Sequence, residues 1–155
     1  MANIKRKIIE TLYSQETLLK YEIESFVKSR LIESVSNYYC VVTAVYNAEK
    51  YLDKYFKSIT TQNLNFEKYI HIILIDDGST DKSATIIKKW KKKFNFNISY
   101  IKCKNGGQAN ARNLALKYVR APWVTFIDAD DTINEIYFKE VDTFLNQNDD
   151  IDLIS

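Results

Sequence analysis

After Asn37 the chain alternates between short apolar β-branched runs and stretches of helical periodicity, and this alternation constrains the fold more than any other feature. Tyr39–Val45 (YCVVTAV) is continuous and rich in valine, as a strand buried on both faces must be. Leu52, Tyr55, Phe56 and Ile59 then follow the i, i+3, i+4, i+7 spacing of a helix laid on a sheet. Residues 70–76 (IHIILID) predict a second strand, running into Asp77-Gly78-Ser79-Thr80-Asp81, where Thr80 or Asp81 is placed to cap the next helix. Ile86, Ile87, Trp90 and Phe94 mark that helix, and residues 97–102 predict a third strand. Ala111, Leu114, Ala115 and Tyr118 give a third helix, halted before Pro122. Residues 123–127 predict a fourth strand ending in Asp128-Ala129-Asp130-Asp131, and a last helix covers about 134–146. Such alternation with short connections implies an α/β fold, a mostly parallel sheet covered by helices on both faces. Ligands of these sheets bind beyond the carboxyl ends of the strands. The turn-rich segments Tyr46-Asn47-Ala48, 77–81, 105–113 and 128–131 all follow strands and are expected on one rim.

Residues 1–37 read as a separate helical extension ahead of the domain at 38–155. Ile8, Leu12, Leu19, Ile23 and Phe26 suit an amphipathic helix or a broken pair. Packing on its own domain is the simplest use of such a segment, and self-association through residues 4–36 is a further role to test. The whole chain has 155 residues, with 22 Lys+Arg against 20 Asp+Glu, too balanced for nucleic acid as a bulk electrostatic partner. The charge is nonetheless segregated: residues 82–104 hold eight lysines and no acid, while residues 128–155 hold nine acids and one base, Lys139. A solvated helix face and an acidic tail account for most of this, and docking of the 88–93 lysines on an anionic surface is the alternative. No run approaches the ~20 apolar residues of a spanning helix and no signal-peptide core forms, so a cytoplasmic protein is expected, with peripheral membrane association at the cytoplasmic face as an option. Cys40 and Cys103 fit neither a metal spacing nor a disulfide framework; Cys40 reads as a buried free thiol, and Lys102 and Lys104 would favour the Cys103 thiolate.

The rim carries the chemistry. Three carboxylates at one strand end repel one another unless a cation offsets them, and hard divalent ions take oxygen ligands while keeping positions open for substrate phosphates. Asp128, Asp130 and Asp131 thus suit a metal–diphosphate site, the bland alternative being an acidic turn in which Asp131 or Thr132 caps the last helix. Asp77, at its strand end, offers an acceptor to a nucleobase edge. Gly106 and Gly107 open the third helix where backbone N–H groups and the helix dipole favour an anion, and Arg112 lies one turn in. Tyr46 offers a flat face to a base. His71 lies within a strand and reads as structural, and no Ser/His/Asp or Cys/His set can be assembled. Together these residues describe a metal-held nucleoside diphosphate site.

The same residues resemble a known family. Residues 42–52 (VTAVYNAEKYL), 75–81 (IDDGSTD), Asn105-Gly106-Gly107 with Ala111-Arg112-Asn113, and 126–131 (FIDADD) are similar, in order and spacing, to the GT-A glycosyltransferases of family 2 over about residues 39–144. The resemblance implies a GT-A, Rossmann-like fold and inverting transfer from a nucleotide-sugar donor, usually UDP-linked, held with Mn²⁺ or Mg²⁺, to a glycan or polysaccharide acceptor. By the same resemblance Ala44 (where the family often has proline), Tyr46, Asp77, Gly106, Gly107 and Arg112 line the donor site, and Asp128, Asp130 and Asp131 hold ribose, metal and diphosphate. The family's acceptor half and catalytic base normally lie beyond these motifs. Glu135, Glu140 and Asp142 stand too close to Asp131 to replace the base, so 38–155 is expected to supply a donor-binding half. The alternative is a non-catalytic nucleotide-sugar-binding or interaction module of a polysaccharide-synthesis complex.

Overall fold

The computed structural model describes residues 38–148 and 151–153; the helical extension expected over 1–37, with its self-association, lies outside the described residues. Strand β1 (Tyr39–Val45) is buried along nearly its whole length, as its unbroken apolar run requires. Helix α1 (Leu52–Thr60) buries Leu52, Tyr55, Phe56 and Ile59, the four residues of the helical spacing. A single-turn helix α2 (Phe66–Tyr69), with the Asn65 side chain accepting the Lys68 N–H, leads into β2 (Ile70–Asp77). Helix α3 (Ser83–Lys93) begins just after Asp81, whose Oδ1 accepts the Ser83 N–H at 2.9 Å. Then follow β3 (Ile98–Cys103), α4 (Gln108–Leu116), β4 (Trp123–Phe126) and α5 (Tyr137–Leu145). The last helix starts three residues later than its periodicity suggests. Its first residue follows Ile136, with no side-chain cap, so neither Asp131 nor Thr132 caps it.

The four strands among the described residues are parallel, in the order β3-β2-β1-β4. The chain builds outward from β1 to β3 and then returns to the far side of β1 for β4. The order therefore reverses between β1 and β4, the place where connections diverge above the sheet and leave a crevice at the carboxyl ends.

Helices lie on both faces of the sheet, as the alternation of elements predicts. On one face Val41, Val45, Ile72 and Leu74 pack with Leu52, Phe56, Ile87 and Phe138 of α1, α3 and α5. On the other, among the described residues, Cys40, Val42, Ile73 and Ile75 pack with Ala111 and Ala115 of α4 and with Tyr118, Val119 and Ala121 just after it. Small alanines let that helix lie close over β1 and β2. β4 is an edge strand with alternating burial, and its Val124 and Phe126 stay exposed.

Candidate functional site

The loops after β1 and β2 are joined by reciprocal hydrogen bonds. Backbone N–H groups of Asn47, Ala48 and Glu49 donate to Ser79 Oγ, Ser83 Oγ and Asp81 Oδ2 at 3.1, 2.9 and 3.0 Å. In return the Thr80 N–H donates to Asn47 Oδ1 at 2.9 Å and the Lys82 N–H to Glu49 Oε2 at 2.8 Å. Asn47 holds a positive φ of 50°, a conformation that asparagine tolerates better than most residues. Burial alone would raise the Asp81 pKa; the bonds from the Ser83 side chain, the Ser83 and Glu49 N–H groups and its own N–H hold it below the usual carboxylate value. The clasp places Tyr46 at the cleft, 56% exposed.

A second set of bonds fixes the end of β2. Asp76, fully buried, accepts the Ser79 N–H at 2.7 Å and the Tyr100 phenol at 2.7 Å, with Lys102 Nζ 3.8 Å away. Gly78 turns the chain at φ +78°, and a Cβ there would stand 3.0 Å from the Asn105 backbone N. Asp77, only 4% exposed, accepts the N–H groups of Gly106 and Gly107 with its two oxygens, each at 2.8 Å.

This corrects the expectation that Gly106 and Gly107 cradle an anion. A carboxylate removed from water needs donors, and the glycine N–H groups are the ones within reach. The pair fastens its loop to β2 instead. Gly107, at φ +89°, still contributes backbone to the cleft, whereas Gly106 does not line it. The Cys103 thiol, flanked in sequence by two lysines, lies 3.6 Å from Asp77 Oδ1; burial first, then the charge of Asp77, raises its pKa. Cys40 is buried as expected, and burial pushes its thiol up to about 12. His71 pairs with Ser99 at 2.9 Å across the sheet, consistent with a structural role.

The β4 end is held from below. Thr43 donates to the Ile127 carbonyl at 2.8 Å and receives the Tyr55 phenol at 2.5 Å, a buried relay that sets the level of the Asp128 turn. Asp128 Oδ1 accepts Arg112 Nη2 at 2.6 Å and Gln108 Nε2 at 2.9 Å, while Oδ2 has no protein partner among the described residues. The Arg112 guanidinium also lies 5.6 Å from the Phe126 ring, and its buried Nε has no acceptor. Arg112 therefore stands behind Asp128 and does not itself line the cleft. Asp130 reaches the cleft; Asp131 is exposed outside it. Among the described residues no three acidic, histidine or cysteine side chains converge as a preformed metal set, so the three-carboxylate arrangement expected for Asp128, Asp130 and Asp131 is not present. A turn of four residues points successive side chains in different directions, and only two reach one place.

The cleft has a volume of about 460 Å³ at the carboxyl ends of β1 and β4. It is lined by Ala44, Tyr46, Asn47 and Tyr51 from the β1 loop and the start of α1, by Asp77, Asn105 and Gly107 from the loops after β2 and β3, and by Gln108, Asp128 and Asp130. Two half-exposed tyrosines suit a planar ring. The free oxygen of Asp128 and the Asp130 carboxylate are hard donors at the cleft, chemically suited to a divalent cation that takes its remaining ligands from elsewhere. Tyr51 and Gln108 were not singled out from the sequence. Tyr51, five residues after Tyr46, gave a detectable signal: it falls outside the buried spacing of α1. Gln108 gave none. Glu135, Glu140 and Asp142 do not line the cleft, and Asp142 accepts the Tyr39 phenol at 2.9 Å.

Comparison with known proteins agrees with this geometry. The model of the family described as "Glycosyl transferase family 2" matches residues 40–154. The minor teichoic acid biosynthesis protein GgaB of Bacillus subtilis is 38% identical over 125 residues, 79% of this chain and 14% of that protein. The poly(ribitol-phosphate) beta-N-acetylglucosaminyltransferase TarS of Staphylococcus aureus is 32% identical over 70% of this chain and 19% of its own length. The crystal structure of TarS 1-349 in complex with UDP-GlcNAc superposes with a TM-score of 0.65 at 31% identity, covering 70% of this chain and 31% of that one. The mannosyltransferase PcManGT from Pyrobaculum calidifontis, in complex with GDP-Man and Mn²⁺, shares the fold alone: TM-score 0.63 at 20% identity over 70% of this chain and 32% of that one. This chain thus spans less than a fifth of the length of GgaB or TarS.

Proposed function

The chain belongs to glycosyl transferase family 2, and we propose that residues 38–155 form the donor-binding half of an inverting, metal-dependent glycosyltransferase. The donor is a nucleotide-diphospho-sugar, UDP-linked, and the acceptor a glycan or polysaccharide. The observation that carries this reading is one cleft at the strand-order reversal with two tyrosines and Asp77 at one end and Asp128 and Asp130 at the other. The UDP-GlcNAc held by the TarS structure supports the choice of UDP.

Each residue then has a task that its surroundings suit. Tyr46 and Tyr51 stack on the base. Asp77, rigid because both oxygens are bonded to backbone, uses its remaining lone pairs to accept a base N–H. Arg112 and Gln108 fix Asp128 through one oxygen and leave the other for the ribose or the cation. Asp128 and Asp130 would hold Mn²⁺ or Mg²⁺, which as a Lewis acid would stabilise the departing diphosphate. Asp131 stays outside this set. Among the described residues no acidic side chain beyond Asp131 lines the cleft.

Calorimetric titration of UDP with and without Mn²⁺ tests the proposal. Micromolar, metal-dependent binding that Asp130→Ala removes is the expected result. Absence of binding in both conditions would overturn it.

A further inference from the structure

The end of the domain opposite the cleft is built differently from the rest of its surface. Backbone bonds join the starts of the strands into a continuous rim: Trp123 N to Tyr38 O, Tyr38 N to Tyr69 O and Ile72 N to Asn97 O, at 3.3, 2.8 and 2.7 Å. Asn97 Nδ2 stitches the 94–97 turn to α2, donating to the carbonyls of Phe66, Glu67 and Ile70, and the rings of Phe66 and Phe94 meet at 5.1 Å. Lys68 and the last three residues of α3, Lys91, Lys92 and Lys93, are therefore gathered at one place, with Lys88 a turn above Lys92. Glu67 is the one acid in these two segments. Among the described residues none of these five lysines has an acidic partner within ion-pair distance. Phe96 is 65% exposed on the turn between α3 and β3.

Lysines without acidic partners, two of them (Lys68 and Lys93) lying over aromatic rings, together with an exposed phenylalanine combine the two signals that bring a protein to a charged bilayer, and either signal alone binds weakly. We propose that this rim docks the domain on an anionic phospholipid bilayer, with Phe96 entering the headgroup layer and Lys68, Lys88, Lys91, Lys92 and Lys93 facing lipid phosphates. Because these strands are parallel, the cleft then opens away from the membrane, accessible to a soluble donor. The inference does not depend on what the cleft binds.

The test is co-sedimentation of the full chain with phosphatidylcholine vesicles that do or do not contain about one third phosphatidylglycerol. Binding is expected only to the anionic vesicles and is expected to fall at high salt. Replacing Lys91, Lys92 and Lys93 together with alanine should weaken partition about a hundredfold, near fivefold per lysine. Phe96→Ala should weaken it about fivefold at every salt concentration. Unchanged circular dichroism of both variants would show that folding is intact. The proposal is overturned if the chain ignores anionic vesicles, if it binds polyphosphate but not vesicles, or if replacing Lys50, Lys54 and Lys57 on the α1 side weakens partition as much as the triple rim variant.

Discussion

The two ends of the cleft are constructed in opposite ways. At the β1–β2–β3 end, the loops are fastened by side chains bonded to backbone: Asn47, Glu49, Ser79, Asp81 and Ser83 to one another's loops, Asp77 to two glycine N–H groups and Asp76 to the Ser79 N–H. At the β4 end, Asp128 is held by two half-exposed side chains from α4, Asp130 is exposed, and the strand beneath is a partly bare sheet edge. A wall bonded to backbone cannot follow its ligand, so it selects by shape. A carboxylate held by side chains can exchange partners when a cation arrives. Under the proposed function, the rigid end would receive the base and the adaptable end the diphosphate.

If so, substitutions at the two ends should divide cleanly between stability and ligand binding. The largest loss of stability is expected from Asp77→Asn, which sets an amide NH₂ against a glycine N–H and leaves buried groups unpaired. Urea denaturation should show a loss of about 2–3 kcal/mol, and UDP affinity should fall at least tenfold with or without metal. Gly78→Ala comes next, at about 1–3 kcal/mol, because its φ of +78° and the Asn105 backbone leave little room for a methyl group. A thermal melt close to that of the parent chain would show that the loop yields more easily than the bonds around it suggest.

Asp128→Ala should behave in the opposite way. Its pair with Arg112 is about a third exposed on both sides, so stability should change by no more than about 1 kcal/mol. Metal-dependent UDP binding should nevertheless be lost in the same calorimetric titration; strong destabilisation would mean that the β4 end is as rigid as the other. The smallest effect concerns pH. Hydrogen bonds hold the Asp81 pKa below its unfolded value, so its contribution is complete above about pH 4 and is lost as pH falls through the lower, folded value. Asp81→Asn should flatten that acid limb of a thermal-stability profile; an identical limb in both proteins would exclude Asp81 as its source.

Much of this was legible beforehand because it depends on local spacing. The β-branched run of β1, the four buried residues of α1 and the carboxyl-end placement of Tyr46, Asp77 and Asp128 all follow from periods of two and 3.6 and from the rule that parallel strands share a rim. What was misread depended on partners distant in the chain. Cys103 lies between two lysines in sequence, but in space its neighbour is Asp77, 26 residues away. Gly106 and Gly107 look like an anion cradle until the same Asp77 is found bonded to both.

The sequence by itself determined the order of elements, the parallel sheet and the chemistry of the rim, because hydrophobic periodicity and strand-end composition are properties of short segments. Only the tertiary structure decided which carboxylates reach the cleft, that Gln108 joins Arg112 on Asp128, and that Asp77 takes the N–H groups of Gly106 and Gly107. These outcomes turn on distances of a few ångströms between groups far apart in the chain, where desolvation and hydrogen bonding choose among partners that the sequence offers equally.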